Sequence, residues 1–151
     1  MRRFMAHAVL FQDAVARWAG LNATDLQCAG LLMLDGPLAP SELAARTGLS
    51  SGGAITAVID RLEAAGLVHR ARDGVDRRRV LVMPDADALW QRVGPVYARA
   101  GTHWNEYLAS LDDDQLALAI EVVRHAAVIN REEIDALRAT PPPPKPTRRR
   151  R

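Results

Sequence analysis

The sequence has a single cysteine, Cys28, so no disulfide can close within the chain, and a reducing, cytoplasmic setting is expected. No apolar stretch approaches the roughly 18 uninterrupted residues of a membrane span, so neither an integral membrane protein nor a membrane partner is expected. A secretory leader is not expected either. After the basic start Met1-Arg2-Arg3-Phe4, the residues His7, Gln12, Asp13 and Arg17 interrupt the apolar core a leader needs. Patterns that carry catalysis are scarce: there is no His-Glu-x-x-His, and Gly52-Gly53 lacks the lysine and preceding strand of a phosphate-binding loop. His7, His69, His103 and His125 are scattered, and only His103 with Glu106 has a ligand-like spacing. These absences predict a binding protein rather than an enzyme, with no metal or other cofactor.

What the chain does have is arginine, nineteen residues against the single Lys145. The formal net charge is only +2, and its placement matters more than its size. Lys145 and Arg148–Arg151 lie in a stretch from Ala139 that contains no acid, which leaves residues 1–138 at a net −3. Inside that acidic body, Arg61–Arg79 holds six arginines against Glu63, Asp73 and Asp76. A basic patch on an acidic domain predicts a directed contact with a polyanion rather than general stickiness.

Apolar residues Phe4, Ala8, Phe11, Val15 and Trp18 recur at three and four residues, which predicts a helix over 4–19 ended by Gly20. Asn22 or Thr24 opens a second helix, apolar nearly all round through Leu26, Leu31, Leu32 and Leu34 and therefore expected in the core. Asp35-Gly36-Pro37 stops it. Pro40 fits the first turn of a short helix that turns Leu43 and Ala44 inward and closes at Gly48. Past the Thr47-Gly48-Leu49-Ser50 turn, a longer helix runs to about Ala65 on a buried stripe of Ile55, Val58, Ile59 and Leu62. Two helices joined this way form a helix-turn-helix. Leu67–Arg70 and Val80–Met83 then read as strands around a loop containing Asp73-Gly74, a two-stranded wing.

A long helical stretch follows from about Pro84 to Leu108, with a kink expected at Gly94-Pro95. Asp112 and Gln115 have the spacing of a capping box, and Asp112-Asp113-Asp114 suits a helix N-terminus better than a metal or acid–base site. The last helix reaches about Leu137 with Leu116, Ile120, Val123, Ala127 and Ile134 on one side. Residues 139–151 read as a disordered Pro/Arg-rich tail. The expected fold is mainly α with a two-stranded β-wing, a winged helix-turn-helix with helices on either side.

Such an assembly holds double-stranded DNA by placing one helix in the major groove and wing arginines on phosphates or in the minor groove. The outward face of the second helix of the motif carries Ser51, Gly52, Gly53, Thr56, Ala57, Asp60 and Arg61. Ala57 and the Thr56 methyl can meet thymine methyls, and Ser50 or Ser51 can reach a phosphate or base edge. Specificity is therefore expected to lean on groove shape and on the arginines, namely Arg61, Arg70, Arg72, Arg77, Arg78 and Arg79. The bland alternative makes Arg77-Arg78-Arg79 a solvated charge run, but its place in a wing favours DNA.

Three segments in order, Ser41-Glu42-Leu43-Ala44, Asp60-Arg61-Leu62-Glu63-Ala64-Ala65-Gly66-Leu67-Val68-His69-Arg70 and Asp76-Arg77-Arg78, resemble the MarR family of multiple-antibiotic-resistance regulators. The resemblance covers about Phe11 to Leu137. It departs at the glycine-rich start Leu49-Ser50-Ser51-Gly52-Gly53 and at Met83-Pro84-Asp85-Ala86-Asp87, where relatives carry a Leu-Thr-x-x-Gly turn. It implies that Arg78 enters a minor groove and that Asp76 organises the wing by holding the arginines in an ion pair. It further implies one domain over 1–138, with the winged lobe at about 23–84 and dimerisation helices at about 4–19 and 85–138. Leu116, Ile120, Val123 and Ala127 would lie at the seam of a symmetric homodimer; packing of that stripe on the chain's own first helix is the alternative.

Relatives often respond to small aromatic ligands, and Trp18 and Met33 lie on helices that would border such an effector site, although each reads first as core. Some relatives sense peroxide through a first-helix cysteine, whereas Cys28 falls on the apolar second helix and is expected to be simply buried. The function implied is a sequence-specific transcriptional regulator, a homodimeric repressor on a pseudo-palindromic operator relieved by a small ligand. Its rivals are a non-specific, chromatin-like DNA binder and a winged helix used for protein interaction.

Overall fold

The computed structural model describes residues 1–49 and 52–141; Ser50, Ser51 and the Arg148–Arg151 run lie outside the described residues. The described chain forms helices α1 (Arg2–Trp18), α2 (Ala23–Asp35), α3 (Pro40–Thr47) and α4 (Gly52–Ala64), strands β1 (Val68–Arg72) and β2 (Val80–Pro84), then helices α5 (Ala86–Leu108) and α6 (Asp113–Ala139). It divides into two compact units, Met1–Thr102 and the part from His103 onward. This is the mainly α winged-helix architecture expected from the sequence. No helix among the described residues is long and apolar enough to cross a membrane.

Local chemistry sets the helix ends in the first unit. The Asn22 side chain accepts from the Asp25 N–H at 2.8 Å and caps α2. Pro40 occupies the first turn of α3, where a missing N–H costs nothing, and Glu42 Oε2 accepts from the Ala39 N–H at 2.9 Å. Gly48 ends α3 at φ 73°, a left-handed conformation that costs a residue with Cβ about 1–2 kcal/mol.

The main core lies between α2, α3, α4 and the hairpin. Leu32, Leu43, Ile59, Leu62, Leu67 and Val82 are fully buried there, and the stripe Ile55, Val58, Ile59 and Leu62 faces inward as its spacing predicts. Each such side chain contributes on the order of 2 kcal/mol on burial. A smaller cluster of Val15, Ala16 and Leu26 is backed by Val93, Val96 and Tyr97 of α5, and the Tyr97 hydroxyl donates to Gln12 Oε1 at 2.9 Å.

The strands pair antiparallel in the register Val68↔Pro84 to Arg72↔Val80. A further bridge, Leu38↔Val82, was not visible in the sequence: the residue pair exchanges backbone hydrogen bonds of 3.3 and 2.8 Å. It fastens β2 to the segment entering α3. The helix α5 runs on through Pro95, and the preceding Gly94 is needed for space, since a Cβ there would lie 2.8 Å from the Trp90 ring.

Several side chains expected inside are not. Leu34 is exposed on α2, and both Trp18 and Met33 are exposed, which overturns the reading of those two as core. An apolar stripe specifies a face that avoids water, not the element that covers it. In the second unit, Asp112 and Gln115 form the expected reciprocal cap of α6, with bonds of 2.8 and 3.2 Å. No residue of α6 is buried within the chain, and Leu118, Ile120, Val122, Val123, Ile129 and Leu137 are all exposed.

Candidate nucleic-acid interface

The outward face of α4 presents Gly52, Gly53, Thr56, Ala57, Asp60 and Arg61 to solvent. The Thr56 hydroxyl donates to the Gly52 carbonyl at 2.8 Å, a bond within the helix. The run Gly48-Leu49-Ser50-Ser51-Gly52 has the Gly-x-Ser-x-Gly spacing of a nucleophile elbow. The element before it is the helix α3, whereas that elbow follows a strand, so the spacing carries no hydrolytic assignment.

The six arginines of the basic stretch divide by what holds them. Arg61 makes a two-pronged contact with Asp25 of α2, Nη2 to Oδ1 at 2.6 Å and Nε to Oδ2 at 3.0 Å. The Asp25 side chain is 3% exposed and Arg61 is 49% exposed. Arg70 on β1 reaches back to α4, with Nη2 2.6 Å from Asp60 Oδ1, an ion pair to Glu63, and its N–H donating to Glu63 Oε1 at 2.8 Å. Arg72 donates to the Arg77 carbonyl at 2.9 Å across the loop. Arg79 pairs with Glu42 of α3 at 2.5 Å.

Hydrogen bonds donated to their carboxylate partners raise the pKa values of Arg61, Arg70 and Arg79 above the ordinary arginine value. In return, the Ala39 N–H first and the Arg79 guanidinium second hold the Glu42 carboxyl below the usual range. Arg77 and Arg78 differ from the rest. Both are exposed, and neither side chain has a hydrogen bond or ion pair among the described residues.

Asp76, expected to hold the arginines in an ion pair, meets the wing backbone instead. Its Oδ1 accepts from the Arg78 N–H at 3.0 Å, and its carboxylate forms no salt bridge among the described residues. Asp73 makes the matching bond to the Val75 N–H at 2.8 Å. Both are turns in which an aspartate bonds the backbone two residues on, and they shape the loop that carries Arg77 and Arg78. The sequence does not mark Asp25, Glu42, Asp60 and Glu63 as partners of the arginines. A capping position marks Glu42 in the sequence, but nothing there pairs these acids with particular arginines.

Of the two expected effector residues, Trp18 lines a cleft of about 320 Å³ with Ala65, Leu67, Ala88, Gln91 and Arg92, and Met33 does not line it. The Arg92 guanidinium donates there to the Ala19 carbonyl at 3.2 Å. Cys28 is buried, as expected, and burial first, then the Asp25 charge, push its thiol pKa up to about 11. In the second unit, Leu116, Ile120 and Val123 line a cleft of about 480 Å³ with Trp104, Leu108, Ala119 and Arg124, while Ala127 is exposed outside it.

Helix-turn-helix, wing and arginine-bearing loop together define a winged-helix DNA-binding regulator. A family model described as MarR family matches residues 19–79. The uncharacterised HTH-type transcriptional regulator YcgE of Bacillus subtilis (strain 168) is 36% identical over 137 residues, covering 91% of this chain and 88% of its own. Among solved structures, the transcriptional regulator Tm0710 of Thermotoga maritima is 19% identical with a TM-score of 0.61, covering 88% of this chain and 93% of its own. A second, Bordetella bronchiseptica BpsR, whose DNA binding is regulated by 6-hydroxynicotinic acid, is 21% identical with a TM-score of 0.52, covering 83% and 89%. The chain belongs to the MarR family and is a DNA-binding transcriptional regulator.

Proposed function

We propose that this regulator is a cytoplasmic homodimeric repressor that binds a pseudo-palindromic operator and is released by a small aromatic ligand. The observation that carries the DNA-reading part is the contrast within the wing: Arg70, Arg72 and Arg79 are tied to the protein, whereas the Arg77 and Arg78 side chains have no partner among the described residues. A guanidinium with no internal partner is available to DNA, and a narrow A·T-rich minor groove attracts it. Ser50, Ser51, Thr56 and Ala57 on or before α4 supply the major-groove contacts, and the tethered arginines place the wing.

Dimerisation is supported in each unit separately. Phe4, Met5, Val9 and Leu10 of α1 are exposed, as are Ile120, Val123 and their neighbours on α6. Burying such area against a second copy is favourable by roughly 25 cal/mol per Å². The two-fold partner would place a second reading helix about one turn of DNA away, hence a pseudo-palindrome. The Trp18 cleft, with an indole and the Arg92 guanidinium, suits a flat aromatic anion, and the regulation of BpsR by 6-hydroxynicotinic acid supports that class.

Arg78 gives the direct test. Arg78→Ala should weaken binding to a preferred duplex by on the order of 1–3 kcal/mol and reduce preference for A·T flanks over G·C flanks. Arg78→Lys should restore little of the preference, because an ammonium is more strongly hydrated and lacks the planar fork. Fluorescence anisotropy on paired duplexes at one salt concentration measures both. Equal weakening on the two duplexes would reduce Arg78 to a phosphate contact.

A further inference from the structure

We propose that Glu42 is a positioning residue for DNA reading: it holds the wing against α3 and so sets where Arg77 and Arg78 meet the minor groove. This rests on the wing reading above. Glu42 divides its carboxylate between two tasks, Oε2 accepting from the Ala39 N–H at 2.9 Å and Oε1 pairing with Arg79 Nη2 at 2.5 Å. Arg79 directly follows Arg77 and Arg78, the two arginines whose side chains have no partner among the described residues, and is where the loop closes. Its carbonyl accepts from the Asp73 N–H and its own N–H donates to the Asp76 carbonyl, each at 2.9 Å. A side chain fixed at that residue therefore fixes the base of the loop.

The same short segment of chain supplies a second fastening. Leu38 bridges Val82 of β2 through the backbone, four residues before Glu42. On the other strand, Arg70 ties β1 to Asp60 and Glu63 of α4. The hairpin is thus held by one arginine to each helix of the helix-turn-helix, Arg79 to α3 and Arg70 to α4. Of these, the Glu42–Arg79 pair lies at the base of the loop that carries Arg77 and Arg78. An ion pair between exposed groups adds little to overall stability, so its value here is geometric.

Charge makes the proposal testable by sign. Glu42 places a negative group beside a surface that meets a polyanion, so its removal by electrostatics alone should tighten binding to every duplex. Loss of a strut should instead reduce discrimination. Glu42→Gln keeps an amide oxygen that can accept from the Ala39 N–H and removes the charge that holds Arg79.

The experiment uses the full chain and two synthetic duplexes that share a core recovered from a random pool by the wild-type protein, one flanked by A·T and one by G·C tracts. Affinities are read by anisotropy at one salt concentration for wild type, Glu42→Gln, Arg79→Gln, the double variant and Arg78→Ala. The expected result is a fall of about threefold or more in the A·T preference for Glu42→Gln and Arg79→Gln, with the double variant no worse than either, as for residues acting through one contact. Melting temperature should not change. Tighter binding of Glu42→Gln to both duplexes with the preference intact, while Arg78→Ala loses it, would overturn the strut alone. A preference untouched by Arg78→Ala would overturn the minor-groove reading and the strut with it. Were Glu42→Gln to fail to fold, Arg79→Gln tests the same contact from the wing.

Discussion

Removing Arg61 should damage the fold far more than it damages DNA contacts. Its guanidinium takes both oxygens of Asp25, and Asp25 is almost wholly buried while Arg61 is half in water. The two partners are therefore unequal. Arg61→Ala strands a buried carboxylate, and the cost at Asp25 is about 3 kcal/mol, the low end of the range for a broken buried pair because one partner is already solvated. For a unit of this size that lowers the melting temperature by on the order of 10 °C. Asp25→Asn should cost less, since Arg61 can turn into solvent and the amide keeps one acceptor. Replacing both, as Arg61→Met with Asp25→Leu, should recover much of the loss because no charge stays buried.

Calorimetry on the four proteins gives the stabilities, and anisotropy against salt gives the number of phosphates neutralised. The salt slope of Arg61→Ala should match the wild type, because a guanidinium committed to Asp25 neutralises no phosphate. An unchanged melting temperature with a shallower salt slope would refute this and return Arg61 to the DNA contacts.

Aspartate at both Ile120 and Val123, which are 50% and 69% exposed on α6, should yield monomeric protein in sedimentation; a persistent dimer would place the seam elsewhere. Cys28 should make the protein lose stability as pH rises from 9.0 towards about 11, because the unfolded thiol ionises first while the buried one keeps its proton. In Cys28→Ala that part of the alkaline loss should vanish, and an identical alkaline titration of stability in the two proteins would contradict the assignment. Trp18→Ala should bind DNA as wild type does but no longer be released by 6-hydroxynicotinic acid used as a probe, measured by anisotropy; release unchanged from wild type would move the effector site away from Trp18.

Features set by near neighbours were legible in the sequence. Pro40, Gly48, the Asp112–Gln115 cap and the Ile55–Leu62 stripe each act within one or two helical turns, and the structure places them as expected. The wing was legible because two short apolar runs flank a loop-forming pair. What escaped were pairings between distant segments. Asp25 and Arg61 are 36 residues apart, and the Leu38–Val82 bridge joins backbone whose side chains carry no periodic mark. Charge counting also misled. Arg61–Arg79 reads as a uniform basic stretch, but Asp25, Glu42, Asp60 and Glu63 arrive from outside or across it and occupy three of the six arginines, while Arg72 bonds to a carbonyl. Periodicity identified Trp18 as part of an apolar stripe but could not say that it would lie exposed beside a cleft.

The central claim, that this chain reads a two-fold site in duplex DNA, is tested most directly by selecting bound duplexes from a random pool with the full-length protein. The account predicts two inverted half-sites about one helical turn apart, with A·T pairs enriched where the two wings fall. Recovered duplexes with no common sequence, held by an affinity that only falls with salt, would contradict it.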